Sequence, residues 1–117
     1  MGIFEYLQKV RYFHRRNLSF MLTMEDLDMV IAIGANQERG VPVRVKHLFG
    51  IGIGSAATLQ RRLARLKRLG VVIQKRLESD RRHIDLELSP QITRVFRRYS
   101  ALITSNDLSS RRERMPD

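Results

Sequence analysis

Apolar residues recur every three or four positions in four long segments of this sequence, which is the spacing of amphipathic helices. The clearest case is residues 55–69, where four leucines share one face: Leu59, Leu63, Leu66 and Leu69. The other three segments are residues 3–16, a stretch that begins at Thr23 and fades near Gln37, and residues 90–104. A shorter helix is predicted over residues 45–49.

Two short strands are predicted after the leucine-rich helix, over residues 71–78 and 83–88. Ile84, Leu86 and Leu88 alternate with Asp85 and Glu87, which is typical of a strand with one buried and one solvent-exposed face. We therefore expect Asp85 and Glu87 on the exposed face and a turn at residues 79–82. Residues 41–43 contain a proline and are interpreted as a third, very short strand.

Polar residues and glycine mark the helix ends. Thr23 is followed three residues later by Asp26, which predicts a capping box, and Ser55 and Ser89 are good helix N-caps. Gly70 is expected to end the leucine-rich helix in a left-handed conformation. The resulting order of elements predicts a mainly α fold with a small β-hairpin (α+β).

Charge is concentrated in the second half of this pattern. The chain has 22 Lys and Arg against 12 Asp and Glu, a net charge of +10. Residues 55–82 hold nine of the basic side chains and only two acidic ones, Glu78 and Asp80. Such a patch attracts a polyanion. A basic helix followed by a basic hairpin predicts a winged helix-turn-helix domain with flanking N- and C-terminal helices, in which the helix enters a DNA major groove and the hairpin reaches a minor groove or the backbone.

The candidate DNA-binding side chains follow from this placement. Arginine can donate two hydrogen bonds to guanine, and threonine and alanine suit thymine methyl groups. In the helix the candidates are Ser55, Ala57, Thr58, Gln60, Arg61, Arg62 and Arg65. In the hairpin they are Lys75, Arg76, Asp80, Arg81, Arg82 and His83. The alternative is a solvated charged face with no ligand.

Three stretches of this region resemble the MarR-type branch of bacterial winged-helix transcriptional regulators: residues 65–72, 79–83 and 86–90. The likeness covers about residues 20–104. It implies a cytoplasmic homodimer that binds double-stranded palindromic operator DNA, usually as a repressor, and that in many members releases DNA on binding a small aromatic effector. Asp80 and Arg82 match the family's Asp-x-Arg pair, whose arginine contacts DNA. The C-terminal helix is shorter than the family's usual dimerisation arm.

Four segments are predicted: an N-terminal packing or dimerisation helix (1–19), a DNA-binding domain (20–89, with recognition helix 55–69 and wing 71–88), a C-terminal helix (90–104) and a flexible tail (105–117). The candidate dimer interface consists of Phe4, Leu7, Phe13, Phe96, Tyr99 and Ile103. Packing of the two helices within one chain is the alternative.

Other kinds of chemistry find little support in the residues. The chain has no cysteine, which excludes disulfides and thiolate catalysis. His14, His47 and His83 lack the spacing of metal ligands, and the glycines at 50, 52 and 54 do not match a nucleotide-binding loop. We expect no enzyme activity, no metal and no cofactor. No apolar run approaches the ~20 residues that span a bilayer, and the N-terminus lacks a signal-peptide pattern, so a cytoplasmic location is expected.

Two other functions share these charge features. One is a replication, partition or architectural DNA-binding factor with weak sequence preference. The other is a winged helix that serves as a protein-interaction module. The high charge of the region argues against the second, because the centres of protein interfaces are usually depleted in charged residues.

Overall fold

The computed structural model describes the backbone of residues 2–77 and 80–114, and the side chains of residues 2–75, 84–102 and 104. These residues form five helices and three strands: α1 (Ile3–Asn17), α2 (Met24–Glu38), β1 (Val43–Arg44), α3 (Val45–Gly50), α4 (Ala56–Arg68), β2 (Val72–Leu77), β3 (Asp80–Leu88) and α5 (Pro90–Arg114). The strands form one antiparallel sheet in the order β1-β3-β2. The predicted α+β winged helix-turn-helix architecture is confirmed. The chain divides into two compact units, residues 20–92 and residues 1–19 with 93–117.

Apolar side chains from α2, α3, α4 and all three strands form the core of the 20–92 unit. They are Met29, Val30, Ile33, Val43, Leu48, Leu59, Leu63, Leu66, Val72, Leu86 and Leu88, joined by Val71 just before β2 and Ile92 at the start of α5. Helix α2 lies close to the sheet at Gly34: a Cβ added at this glycine would lie 3.2 Å from Leu88 Cδ1. Gln37, one turn later in α2, also contacts Leu88: its Oε1 accepts a hydrogen bond from the Leu88 backbone N–H at 3.1 Å.

The helix ends follow the predicted capping residues. Asp26 N–H donates to Thr23 Oγ1 at 3.2 Å, and Thr23 N–H donates to Asp26 Oδ2 at 3.0 Å, which completes the capping box of α2. Gly70 has a φ of +76° just past α4. The expectation that Leu69 belongs to the buried stripe is wrong, since it is 51% exposed. Leu69 is the C-cap of α4 and keeps a helical backbone, and the chain turns away immediately after it, at Gly70.

The sheet differs from the predicted strands at its first strand and on one face. The first strand is Val43–Arg44, which starts two residues later and ends one residue later than predicted, and Val43 pairs with Leu86. Asp85 is only 8% exposed, so its predicted solvent-exposed position is wrong. The cause is that β3 is the central strand: Asp85 lies opposite Arg44 on one side and Lys75 on the other.

Strand β3 begins earlier in the sequence than predicted. Strand β2 ends at Leu77 and β3 begins at Asp80, and these two residues pair with each other. Residues 80–82, expected in the turn, therefore have strand backbone. The register shifts between Arg76 and Leu77, because Arg76 pairs with Ile84 while Leu77 pairs with Asp80. The extra residues lie on the β3 side, which is the arrangement of an enlarged β-bulge.

The second unit contains α1 and the part of α5 from residue 93 onward. None of the α1 residues is buried, whereas Leu18 and Val95 are. Helix α5 continues to Arg114, so residues 105–114 are helical where a flexible tail was predicted to begin after residue 104. No glycine or proline occurs between Pro90 and Pro116, and arginine, leucine and glutamate in this stretch are good helix formers.

Candidate nucleic-acid interface

The first two turns of α4 present small and polar side chains to solvent. Ala57, Gln60 and Arg61 are exposed, while Thr58 is half-buried. Leu59 and Leu63 fix this orientation because both are buried in the core. The arrangement brings together two methyl groups, one side-chain amide and one guanidinium on one surface of the helix. We call the side chains of Ser55, Ala57, Thr58, Gln60 and Arg61 the α4 surface.

The hydroxyl groups at the start of α4 are held by the helix cap. Ser55 Oγ accepts a hydrogen bond from the Thr58 backbone N–H at 3.3 Å and lies 3.0 Å from Thr58 Oγ1. An N-cap serine of this kind typically stabilises its helix by about 1 kcal/mol. Both hydroxyls therefore have a defined position at the edge of the α4 surface.

The three arginines of α4 that were predicted to contact DNA have different surroundings. Arg61 is exposed, but Arg62 Nη1 and Arg65 Nη1 each lie 3.8 Å from Asp26 Oδ2 at the start of α2. Arg65 Nη1 also donates a hydrogen bond to the Phe20 carbonyl oxygen. The side chains of Arg62 and Arg65 are 31% and 22% exposed. They are thus oriented toward the N-terminus of α2, whereas Arg61 is directed to solvent.

In the hairpin, Lys75 is exposed and forms an ion pair with Glu87, with Nζ 3.1 Å from Oε2. A solvent-exposed pair of this kind contributes little, from about 0 to 1 kcal/mol, so Lys75 can exchange its partner for a phosphate at small cost. The side chains of the other predicted hairpin contacts, Arg76, Asp80, Arg81, Arg82 and His83, lie outside the described residues. The backbone of Arg76 belongs to β2, and that of the other four residues belongs to β3.

Sequence reasoning assigned Asp26 only to a helix cap, and did not find its contacts with α4. The Thr-x-x-Asp spacing reports a local hydrogen bond, but no spacing indicates which distant arginines meet a carboxylate. The same holds for Lys67, whose Nζ donates to Gln74 Oε1 at 3.3 Å between α4 and β2. Both contacts depend on how the helices pack.

The candidate dimer residues fall into two groups in the unit of residues 1–19 and 93–117. Phe4 and Leu7 of α1 are 79% and 44% exposed. Phe13 and Phe96 instead lie against Tyr99, with ring centroids 5.1 and 6.0 Å away. The Ile103 side chain lies outside the described residues. Among the candidate residues whose side chains are described, Phe4 and Leu7 are the two that present exposed apolar surface.

A hydrogen bond of 2.9 Å joins His14 Nε2 to the Tyr99 hydroxyl in the same unit. Partial burial lowers the pKa of His14 below its ordinary value, and the positive charge of Arg11 lowers it further. Burial raises the pKa of Tyr99, with a smaller effect from Tyr6. Both shifts favour the neutral forms of the two side chains.

Within the described part of the chain, no group of three or more His, Asp or Glu side chains is placed to hold a metal ion. Among the same residues, no helix is both long enough and apolar enough to span a bilayer.

Solved structures with this arrangement of helices and wing are known. The crystal structure of MarR matches with a TM-score of 0.57 at 21% identity, covering 91% of this chain and 76% of that chain. The chain has the MarR-type winged-helix fold. The S. aureus MepR–DNA complex matches with a TM-score of 0.71 at 12% identity, covering 96% of this chain and 83% of that chain. A probable transcriptional regulator from Pseudomonas aeruginosa matches with a TM-score of 0.56 at 18% identity, covering 86% and 73%.

No protein-family model and no curated protein sequence matches this chain. The solved structures confirm the MarR-type resemblance at the level of the fold. That resemblance was inferred from the end of the recognition helix, the wing and the start of the last helix. In a MarR-type fold, α3 and α4 are the two helices of the helix-turn-helix, and the β2–β3 hairpin is the wing.

Proposed function

We propose that this protein is a double-stranded DNA-binding transcriptional regulator that acts as a dimeric, cytoplasmic repressor. In this proposal α4 enters the major groove and the wing contacts the adjacent minor groove or the phosphate backbone. The observation that carries it is the α4 surface: an exposed, positively charged helix start, presented by a MarR-type winged helix. That the solved MepR structure is a DNA complex supports the same use of the fold.

The proposed contacts follow from the geometry of α4. Arg61 has the exposure needed for a bidentate hydrogen bond to guanine O6 and N7, and Ala57 and Thr58 can contact thymine methyl groups. Gln60 can pair with adenine in the same way. Lys75 and the basic residues of the wing supply phosphate contacts, which fix the position of α4 without specifying sequence. Arg82 is proposed as the minor-groove contact, supported by its match to the Asp-x-Arg wing.

The proposed dimer is supported by the exposed apolar residues of α1. Phe4 is 79% exposed, and Ile3 and Leu7 lie on the same helix at 58% and 44%. Covering these side chains would remove apolar surface from water at about 25 cal/mol per Å². A second copy is the occupant we propose, because one winged helix makes a small DNA interface and two copies would contact two half-sites.

For a small-molecule effector, the supporting observation is a groove of about 570 Å³ in the unit of residues 1–19 and 93–117. Small-molecule sites typically range from about 300 to 1,000 Å³. Tyr12 and Phe13 give the groove aromatic walls, and Lys9 and Glu5 give it one charge of each sign. These features suit a small aromatic compound with a polar substituent. We propose no enzyme activity, metal or cofactor.

The proposal is tested by selecting bound sites from a random duplex library at low and near-physiological salt. An enriched inverted repeat that survives the higher salt is expected, and its half-site spacing would report the dimer geometry. Binding without enrichment that disappears as salt rises would instead favour a replication, partition or architectural factor. Absence of duplex binding at both salt concentrations would contradict the proposal and favour a protein-interaction module.

A further inference from the structure

Asp26 is a fully buried carboxylate that joins the start of α2 to α4. Its Oδ2 accepts hydrogen bonds from the backbone N–H groups of Leu22 and Thr23, at 2.9 and 3.0 Å. The same oxygen lies 3.8 Å from one Nη atom of each of two arginines, Arg62 and Arg65. A single buried negative charge therefore serves both as a helix cap and as the counter-charge of two α4 side chains.

The surroundings of Asp26 hold these arginines in place. Asp26 is 0% exposed, and among the described residues its Oδ1 has no hydrogen-bond partner. A buried carboxylate with unused accepting capacity strongly favours a nearby cation, because neither water nor salt can compensate its charge. Arg65 has a further anchor at the Phe20 carbonyl oxygen. If either guanidinium moved to a phosphate, the buried Asp26 carboxylate would lose part of its counter-charge while remaining in an apolar environment.

The arginines of α4 therefore fall into two groups. Arg61 and Arg68 are exposed, whereas Arg62 and Arg65 are partly covered and paired. Nonspecific DNA binding depends almost entirely on how many phosphates are neutralised, while specific binding also depends on base contacts. Keeping two arginines away from phosphates lowers nonspecific affinity and leaves the base-contacting side chains unchanged.

We propose that Asp26 is a specificity-determining positioning residue, which withholds Arg62 and Arg65 from nonspecific phosphate contacts. This inference rests on the proposed DNA-binding function and deepens it. It revises the expectation from sequence for Arg62 and Arg65: both pair with Asp26, Arg65 also donates to the Phe20 carbonyl oxygen, and Arg61 and the wing carry the contacts to DNA.

The test compares the full-length wild-type protein with Asp26→Asn in binding to a short mixed-sequence duplex that lacks the selected operator. The asparagine side-chain oxygen can still accept the two backbone hydrogen bonds, but the negative charge is lost. Fluorescence anisotropy at several salt concentrations gives the slope of log affinity against log salt. Release of one or two arginines to phosphates should steepen that slope by between about 0.9 and 1.8. The ratio of operator affinity to nonspecific affinity should fall.

Asp28→Asn is the matched control. Asp28 is exposed on the same helix, so this variant makes the same change in net charge without touching the arginines. Its salt slope should equal that of the wild type. The triple variant Asp26→Asn, Arg62→Gln, Arg65→Gln should return the slope to the wild-type value, because the released cations are then gone.

An Asp26→Asn protein that is folded by circular dichroism but has the wild-type slope would overturn the inference alone. If Asp26→Asn does not fold, the double variant Arg62→Gln, Arg65→Gln decides the matter. An unchanged slope supports the inference, and a slope shallower by about 1.8 overturns it, since both arginines would then contact phosphates in the wild type. Wild-type protein that binds no duplex would contradict the proposed function itself.

Discussion

His14 Nε2 lies 2.9 Å from the Tyr99 hydroxyl, so a hydrogen bond joins α1 to α5 within one unit. The two rings are tilted by 37°, with centroids 5.1 Å apart. Phe13 contacts the same tyrosine edge to face. Tyr99 is therefore the point at which the N-terminal and C-terminal helices share polar and aromatic contacts, and His14 is the member of this cluster that titrates nearest to neutral pH.

The free energy of unfolding should fall as pH decreases below about 6.5, in part because of His14. Above that pH His14 is neutral in both the folded and the unfolded state, so it contributes nothing to the pH dependence of the free energy of unfolding. Below it, the unfolded chain takes up a proton that the folded protein resists, since burial and Arg11 lower the folded-state pKa; the loss ends once pH passes that lowered pKa. Urea unfolding at about pH 7.5 and about pH 5.5 measures the effect. His14→Gln should lose less stability between the two than the wild type, and equal losses would contradict the assignment.

Replacing Arg61 by alanine should weaken operator binding by about 1–3 kcal/mol and relax the sequence preference at one position of each half-site. The reason is loss of a base contact from the exposed α4 surface. Competition titrations with single-base operator variants measure both quantities. Arg39→Ala is a suitable control, because Arg39 is exposed at the end of α2 and contacts Asn36. Operator affinity that is the same in Arg61→Ala and the wild type would exclude α4 as the recognition helix.

Replacing Arg82 by alanine should weaken binding to operator and nonspecific duplex by similar factors. If this wing residue contacts a phosphate or the minor-groove wall, the slope of log affinity against log salt should become shallower by about 0.9. Titrations of the two duplexes at several salt concentrations measure this. A variant that loses operator affinity while nonspecific affinity is retained would show that Arg82 contacts a base.

Gly70→Ala should destabilise the protein by roughly 1–2 kcal/mol, because an L side chain at a φ of +76° is strained. A Cβ at Gly70 would have no atom within 4 Å, so the cost is one of backbone conformation alone. Gly50→Ala is the matched control: its Cβ also meets open space, but its φ is not in the left-handed region. That variant should be as stable as the wild type or slightly more so. Equal urea midpoints for the two variants would contradict this account of the cap.

Phe4→Asp should shift the proposed dimer to monomers in sedimentation velocity without unfolding the chain. Phe4 is 79% exposed, so a carboxylate at this position should destabilise the isolated chain little. At a symmetric interface the same carboxylate would be buried once from each subunit, which should strongly disfavour the dimer. Val41→Asp, at an apolar position of the 20–92 unit that is 53% exposed, should leave the assembly unchanged. If Phe4→Asp remains dimeric, α1 does not form the interface.

The elements that were predicted well are those whose cause is local. The Thr23–Asp26 cap, the buried leucines of α4 and the glycine after α4 each depend on residues within one or two turns. Asp85 and Arg65 were assigned to the surface because alternation and charge carry no information about a third strand or a distant carboxylate. The segment after residue 104 has few apolar residues, and its helical backbone to Arg114 agrees with its lack of helix breakers; its flexibility stays a prediction.

The pairing of Val43 with Leu86 has a consequence for the order in which the molecule is made. Both helices of the helix-turn-helix lie between these two positions in sequence, so the sheet closes a loop that contains them. Leu86 and Leu88, which are buried in the core on the strand that packs against α2, are synthesised after both helices. Pairing over such a separation is slow compared with helix formation. A nascent chain that ends before the wing would therefore contain a basic α4 without the completed sheet, and the proposed discrimination between DNA sequences should arise only when β3 leaves the ribosome.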